Sequence, residues 1–324
     1  MSGYVFREFE WQTEEPDARA ERLCEVTAPL ADKRRIDCRL EGMSFTAADV
    51  PPKDEIVVMA YNVERGLRAD EQIAALRAEE GLPLPDIILM SEADRGCSRT
   101  GYRNVAAEYA RRLGMNYVFG VEFVELPRWW GAGLRLRARC EHGNAILSRY
   151  PLGNVRLMRH RRSRSWHSWP QRLLRVGEPR EGGRMALAAD VEVGGRYLRV
   201  YSVHFESGRR SELHRVAQAM EVTEDASRSP LPAVIGGDMN AGAYLHDLRR
   251  GSRRDGASIV LRERGFADAH SGLPSDARVT TRSGVAIDLI FGRGVRLGEA
   301  GIGPPEPWER LSDHLPVWAK VRLR

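Results

Sequence analysis

The chain has 324 residues, a formal net charge of +5, 42% hydrophobic and 29% charged residues. These values suit one or two globular domains and exclude a disordered tail, a disulfide-stapled miniprotein and a membrane-spanning bundle. Residues 128–184 carry 14 Arg against the three acids Glu141, Glu178 and Glu181, a local net of +11, so the remainder sums to −6. A field this polarised steers polyanions, although Arg is used everywhere: only Lys33, Lys53 and Lys320 are lysines among 50 basic residues.

Residues 1–54, with eight basic and twelve acidic residues and the Pro51-Pro52 break at their end, read as an N-terminal extension packed on the main domain. A short strand is expected near Tyr4–Phe9 and a helix over Ala18–Ala31. From 55 to 324, compact apolar runs alternate with helical patterns. Strands are predicted at Ile56–Ala60, Asp86–Met90, Tyr117–Val124, Asn144–Ser148, Met185–Val193, Tyr197–His204, Ala233–Gly237, Ile287–Phe291 and Val317–Leu323. Helices are predicted at Asp70–Glu80, Asn104–Leu113, Ser211–Asp225 and Ser258–Arg264, the third presenting Leu213, Val216, Ala217 and Met220 as a core-facing stripe. A Gly-Gly turn joins 185–193 to 197–204 as a hairpin, so two sheets are expected rather than one doubly wound sheet.

The N-terminus reaches acidic residues before any long apolar run, and no stretch approaches the roughly 18–20 apolar residues that span a bilayer. No secretory signal or transmembrane segment is visible. Cys24, Cys38, Cys97 and Cys140 lie 14, 59 and 43 positions apart, which fits neither a paired-CxxC zinc site nor a dense disulfide framework. Reduced thiols and a cytoplasmic location are therefore expected.

Polar residues punctuate the ends of the apolar runs. Ile56–Ala60 continues into Tyr61-Asn62-Val63-Glu64, Asp86–Met90 into Ser91-Glu92, Tyr197–Val203 into His204, and Ala233–Gly237 into Asp238-Met239-Asn240. Asp288 opens another strand, and Ser312-Asp313-His314 precedes the last. Carboxylates, carboxamides and two histidines in this order compose a site for a hard, oxygen-preferring cation and for proton transfer. Such groups sit well on the rim of a rigid sheet.

These motifs, with His142-Gly143-Asn144-Ala145-Ile146-Leu147-Ser148-Arg149, Gly236-Gly237-Asp238-Met239-Asn240 and Ser312-Asp313-His314-Leu315-Pro316-Val317, resemble the endonuclease/exonuclease/phosphatase superfamily from about residue 55 onward. The resemblance implies a four-layer α/β sandwich, two central mainly antiparallel (mixed) sheets flanked by helices. It implies Glu92 as primary ligand of Mg²⁺ or Mn²⁺, Asn62 beside it as ligand or orienting group, Glu64 as an additional acid, and Asp313 completing the metal environment or a second site. It also implies an Asp288–His314 pair, and Asp238 and Asn240 converging on the attacking water and phosphate. Whether Asp238 or His314 is the base stays open. A histidine at 204 resembles the deoxyribonuclease, sphingomyelinase and inositol-phosphatase branches, and such a group can protonate a leaving oxygen.

Three further candidates come from the residues themselves. Arg184 is a potential phosphate clamp through its planar fork, Asn144 lines the cleft, and Glu141 is an orienting partner. The basic excess falls in two insertions, about 128–140 and 156–184, where Arg161, Arg162 and Arg164 precede Trp166 and Trp169. Arg interleaved with Trp suits stacking and phosphate contact with nucleic acid; it suits an anionic lipid interface equally. The expected function is divalent-metal-dependent phosphodiester hydrolysis with nucleic acid as substrate. The alternatives are a phosphatase or sphingomyelinase-like enzyme on a small or lipid substrate, and a catalytically silent nucleic-acid-binding module.

Overall fold

Continuous apolar runs such as Ile56–Ala60 require a sheet that is covered on both faces, and two such sheets form the protein. The computed structural model describes residues 40–46, 50–125, 140–164, 180–208, 210–244 and 255–323. The expected elements at 4–9 and 18–31, and the Trp-bearing stretches 126–139 and 165–179, lie outside the described residues.

The first sheet has the order β1-β4-β5-β3-β2-β14-β13, with β7 also pairing β4. These strands are β1 (Glu41–Ser44), β2 (Glu55–Arg65), β3 (Ile87–Arg95), β4 (Asn116–Glu125), β5 (Glu141–Ser148), β7 (Arg180–Gly182), β13 (Val295–Ile302) and β14 (Val317–Leu323). The second has the order β11-β12-β10-β9-β8-β6, built from β6 (Leu152–Arg159), β8 (Met185–Val193), β9 (Arg196–His204), β10 (Ala233–Tyr244), β11 (Ala267–Asp268) and β12 (Val285–Arg293). Each sheet is mixed: β2 and β3 run parallel in one, β9 and β10 in the other.

The alternation of β2 shows how the layers arise. Ile56, Val58 and Ala60 enter the core between the sheets, against Val200, Val234 and Ile290, while Val57, Met59, Tyr61 and Val63 face outward. That outer face is covered by α1 (Ala69–Arg77), α2 (Val105–Leu113) and α5 (Pro305–Leu311). The second sheet's outer face, with Tyr201, Val203 and Ile235, packs against α3 (Glu212–Ser227) and α4 (Gly256–Glu263). Four layers enclose three apolar cores, as the resemblance implied. Asn104 caps α2 by accepting from the Ala107 N–H at 3.1 Å, and Gly114 ends that helix in the left-handed region.

Two glycines let the layers close. Gly236 faces the first sheet, where an added Cβ would lie 2.8 Å from Leu89 Cδ1 and 3.4 Å from the Ala60 Cβ. Gly237 has φ +146°, and a Cβ there would lie 1.9 Å from the Val203 carbonyl oxygen.

Two expectations are overturned. The stripe on α3 does not face the core: Leu213 is 73% exposed and Met220 46%, and Val216 and Ala217 are only half-buried. The buried face instead contains Arg215, Gln218, Ala219, Val222, Thr223, Asp225 and Ala226, because its polar members find fixed partners. Gln218 accepts from the Glu206 N–H at 2.8 Å, and Tyr201 donates to Asp225 at 2.7 Å. Cys97 and Cys140 form a disulfide between the end of β3 and the start of β5, not two reduced thiols, so the cytoplasmic expectation loses the support it drew from them. Cys24 and Cys38 lie outside the described residues.

The α3 orientation is checked by denaturant unfolding. Val222→Ala is expected to cost about 2 kcal/mol through lost burial and a residual cavity, whereas Leu213→Ser should stay within about 0.5 kcal/mol of the parent. Similar costs at both positions would reverse the assignment of faces.

Candidate active site

Asn62, Glu64, Glu92, Asp238 and Asn240 do not follow their strands; they sit inside longer strands, at or beside irregularities. The β2–β3 register shifts between Asn62 and Arg65, β3–β5 between Met90 and Ala93, and β10–β12 between Asp238 and Ala243. Glu64, Glu92 and Asn240 occupy these places with φ of 48°, 59° and 48°. Left-handed backbone at a residue other than glycine is costly and re-aims the side chain, and three candidate site residues adopt it.

On the second sheet, Asp238 of β10 is paired in register with His204 of β9 and Asp288 of β12. One row across three strands thus carries an imidazole and two carboxylates. His204 Nε2 lies 3.5 Å from Asp238 Oδ2. His314 completes the row from the segment before β14: its Nδ1 is 2.8 Å from Asp288 Oδ2 and its Nε2 is 3.9 Å from Asp238 Oδ2. Burial presses the His314 imidazole downward, but Asp288 and Asp238 raise it well above the ordinary histidine value of 6.5. Asn240 donates its backbone N–H to Asp238 Oδ1 at 2.9 Å and its side-chain amide to the Phe205 carbonyl at 3.0 Å.

The first sheet meets this row through Asn62, whose Nδ2 donates to Asp238 Oδ2 at 3.2 Å. Ser312 fixes both sides of the junction, donating to the Asn62 carbonyl at 2.8 Å and accepting from the His314 N–H at 3.1 Å. Glu64 accepts from the Asp313 N–H at 3.1 Å; burial and then the Asp313 carboxylate push its carboxyl upward. The Glu92 side chain is 24% exposed, 3.9 Å from His204 Nε2. Burial presses the Glu92 carboxyl up, yet His142, His204, His314 and Arg184 together hold it far below the ordinary range.

Residues 59–314 match the profile of the Endonuclease/Exonuclease/phosphatase family. The chain belongs to that family. Among solved structures, an endonuclease/exonuclease/phosphatase from Beutenbergia cavernae is 18% identical with a TM-score of 0.62, covering 84% of this chain and 72% of its own. The human Nocturnin catalytic domain with bound sulfate is 19% identical with a TM-score of 0.55, covering 85% of this chain and 97% of its own. D. rerio TDP2 complexed with a single-strand DNA product is 16% identical with a TM-score of 0.53, covering 83% of this chain and 100% of its own. No curated protein sequence matches the chain.

Within this endonuclease/exonuclease/phosphatase fold, the described structure brings Asn62, Glu64, Glu92, His204, Asp238, Asn240, Asp288, Asp313 and His314 to one rim. Arg184 is placed differently from a surface clamp. It is 3% exposed, its Nη1 donates to Glu122 at 3.1 Å, and the same atom is 2.7 Å from His204 Nδ1. Asn144 is buried on β5 and donates to the Met185 carbonyl at 3.3 Å. Glu141 turns away from the site to bond Arg95 at 2.7 Å. Arg161, Arg162 and Arg164 are exposed, but their backbone is tied down: Arg161 N–H donates to Glu221 at 3.3 Å, the Arg162 carbonyl accepts from Gln218 at 2.8 Å, and Arg164 N–H donates to Glu206 at 2.8 Å.

Sequence reasoning overlooked Glu122. It is fully buried, pairs with Arg184, and lies 3.3 Å from His204 Nδ1; burial opposes but Arg184 and His204 depress its carboxyl to about 2. One Glu inside the apolar run Tyr117–Val124 was the available signal, since an unpaired buried carboxylate is prohibitive.

The donor chemistry fits a hard divalent cation. Asp238, Asp288 and His314 bring ligand atoms within 4.8 Å of one another, Glu64 is tied to the Asp313 N–H at 3.1 Å and Glu92 lies 3.9 Å from His204 Nε2; a cation relieves repulsion in so carboxylate-rich a set. Ser91 Oγ, His142 Nε2 and Asn144 Oδ1 are buried without hydrogen-bond partners among the described residues, which points to polar occupants of the rim. Asp94, Cys97 and Cys140 also converge, but both sulfurs are committed to the disulfide.

The Asp288–His314 pairing is checked by histidine NMR titration in EDTA. The His314 ring is expected to titrate well above 6.5 and to fall toward it in Asp288→Asn. A raised folded value means that the pair's contribution to stability is complete below about pH 6.5 and is lost as pH climbs through that raised value. An unshifted ring in the variant would remove the pair.

Proposed function

We propose that the chain is a divalent-metal-dependent phosphodiesterase whose substrate is nucleic acid. The observation that carries this reading is the row His204–Asp238–Asp288–His314 bonded through Asn62 to the carboxylate-rich rim of the other sheet. Phosphoester hydrolysis needs a base for water, charge neutralisation on the phosphoryl oxygens and protonation of the leaving oxygen, and each need has a candidate here.

Glu92, Glu64, Asp313 and Asn62 would hold Mg²⁺ or Mn²⁺. When bound, the cation polarises a phosphoryl oxygen and offsets its developing charge. Asp238 is oriented by the Asn62 amide and the Asn240 N–H, and with His314 at 3.9 Å it forms the pair that takes the proton of the attacking water. Asp288 holds the His314 ring in place through Nδ1. His204, backed by Glu122 and Arg184, donates to the leaving oxygen.

Nucleic acid is favoured over a small ester by the exposed Arg161, Arg162 and Arg164. Their segment is pinned to Glu206, two positions beyond His204, so the positive charge is held on the His204 side. D. rerio TDP2, of like fold, carries a single-strand DNA product.

Purified protein is expected to hydrolyse single-stranded DNA, plasmid or RNA with Mg²⁺ or Mn²⁺ and to lose that activity in EDTA. Asp238→Asn and His314→Ala should each lower turnover by on the order of a hundredfold or more while the chain still unfolds in a cooperative transition; parental rates in both would sink the site. Hydrolysis of bis-p-nitrophenyl phosphate or a lipid phosphodiester alone would exclude nucleic acid as substrate. Tight salt-sensitive DNA binding without turnover would mean a silent binding module.

Replacing Arg161, Arg162 and Arg164 together by Ala should weaken nucleic-acid cleavage and flatten its salt dependence while sparing bis-p-nitrophenyl phosphate. Equal losses on both substrates would make the segment structural.

A further inference from the structure

Gln72 lies on the buried face of α1 with Ile73 and Leu76 and is wholly enclosed. An amide in such a place is costly unless its polar atoms are bonded, and here both ends are. Its Nε2 donates to the Leu311 carbonyl at 2.7 Å and meets the Val63 carbonyl and the Tyr61 hydroxyl oxygen at 3.2 Å each. Its Oε1 accepts from the Tyr109 hydroxyl of α2 at 2.5 Å. A carbonyl can only accept, so the NH₂ end must face Leu311 and Val63, and the Tyr109 O–H fixes the oxygen at the other end. Turning the amide over would break these bonds together.

The two carbonyls belong to the two segments that build the rim. Leu311 is the last residue of α5, where a helix leaves its carbonyls without intrahelical donors, and Ser312, Asp313 and His314 follow directly. Val63 lies between Asn62 and Glu64, in the register break of β2. One nitrogen, on a helix 239 positions from Leu311 in the chain, therefore joins the backbones that carry these groups. The same segments are stitched twice more by their own residues, Ser312 Oγ to the Asn62 carbonyl at 2.8 Å and the Asp313 N–H to Glu64 at 3.1 Å. The helices behind the clamp are fixed as well: Trp308 of α5 donates its Nε1 to the Glu80 carbonyl just beyond α1 at 2.8 Å, and its ring meets Tyr61 edge-on at 5.8 Å. A leucine at 72 would fill the space yet leave the Leu311 carbonyl without a donor among the described residues.

We propose that Gln72 is a positioning residue: its amide clamps the Val63 and Leu311 carbonyls together and so sets the spacing between the Asn62–Glu64 segment and the Asp313–His314 segment. This rests on the reading of Asn62, Glu64 and Asp313 as part of the cation-holding rim. Groups that orient a metal site from outside commonly change its affinity 10–100-fold. Gln72 acts through backbone, which places it at the low end of that range.

The test is Mn²⁺ affinity, read from the free-Mn²⁺ EPR signal and by calorimetry, in the parent chain, Gln72→Met and Leu76→Ala. Met keeps the length of the side chain and has no N–H to donate. Leu76 shares the buried face of α1, and its apolar side chain makes no hydrogen bond, so its truncation loosens the helix and leaves the clamp in place. Gln72→Met should weaken Mn²⁺ binding about tenfold with a near-parental circular dichroism spectrum. Leu76→Ala should bind Mn²⁺ as the parent does while unfolding at lower denaturant. Parental affinity in Gln72→Met, or an equal loss in Leu76→Ala, overturns the inference and leaves the metal reading standing. Absence of Mn²⁺ binding in the parent removes the metal reading, and the inference with it. Should Gln72→Met fail to fold, Tyr109→Phe keeps the ring and frees the amide to turn. A smaller loss of affinity there supports the clamp, and an unchanged affinity overturns it.

Discussion

Burial of both faces of both sheets governs where chemistry can occur. A strand such as β2, apolar toward the inter-sheet core and apolar again toward α1 and α2, has no face left for a polar group in mid-strand. Carboxylates and imidazoles can be kept only where strands reach the rim or where each finds a partner. Both occur here: Asn62, Glu92, His204 and Asp238 gather at one rim, and Glu122 survives deeper because Arg184 neutralises it. The Asn62–Asp238 hydrogen bond joins the two rims into one site.

The rim is shaped by defects in regular pairing. Glu64, Glu92 and Asn240 each lie at a break in the ladder with φ near +50° to +60°. A straight strand would alternate these side chains to opposite faces; the breaks let them converge. The strain is offset by bonds next to it, as when the Asn62 side chain accepts from the Glu64 N–H at 3.1 Å and Asp238 accepts from that of Asn240.

The sequence conveyed the sheet framework because period-2 and continuous apolar runs report burial directly. It conveyed the rim residues because polar groups ended those runs in a familiar order. Edge strands were hard to read: β13, with Gly298 and exposed Arg296 and Glu299, carries little apolar signal. The buried face of α3 misled for the opposite reason. Arg215, Gln218 and Asp225 are interior because Glu206, Gly208 and Tyr201 supply their partners, and these pairings reach outside the helix, where its periodicity carries no signal of them. Glu122 and Asp94 escaped notice likewise, since a buried ionic network appears in sequence only as isolated polar letters within apolar strands.

Gly236 gives the inter-sheet layer a further meaning. Leu89 and Ala60 crowd the place where its side chain would be, two residues before Asp238 and two before Asn62. The layer is close-packed where the strands leading to Asn62 and Asp238 face each other. A methyl there would press on Leu89 and Ala60, on the strands that lead into Glu92 and Asn62. The dimensional tolerance of the reacting centre is therefore set by atoms that no substrate ever touches.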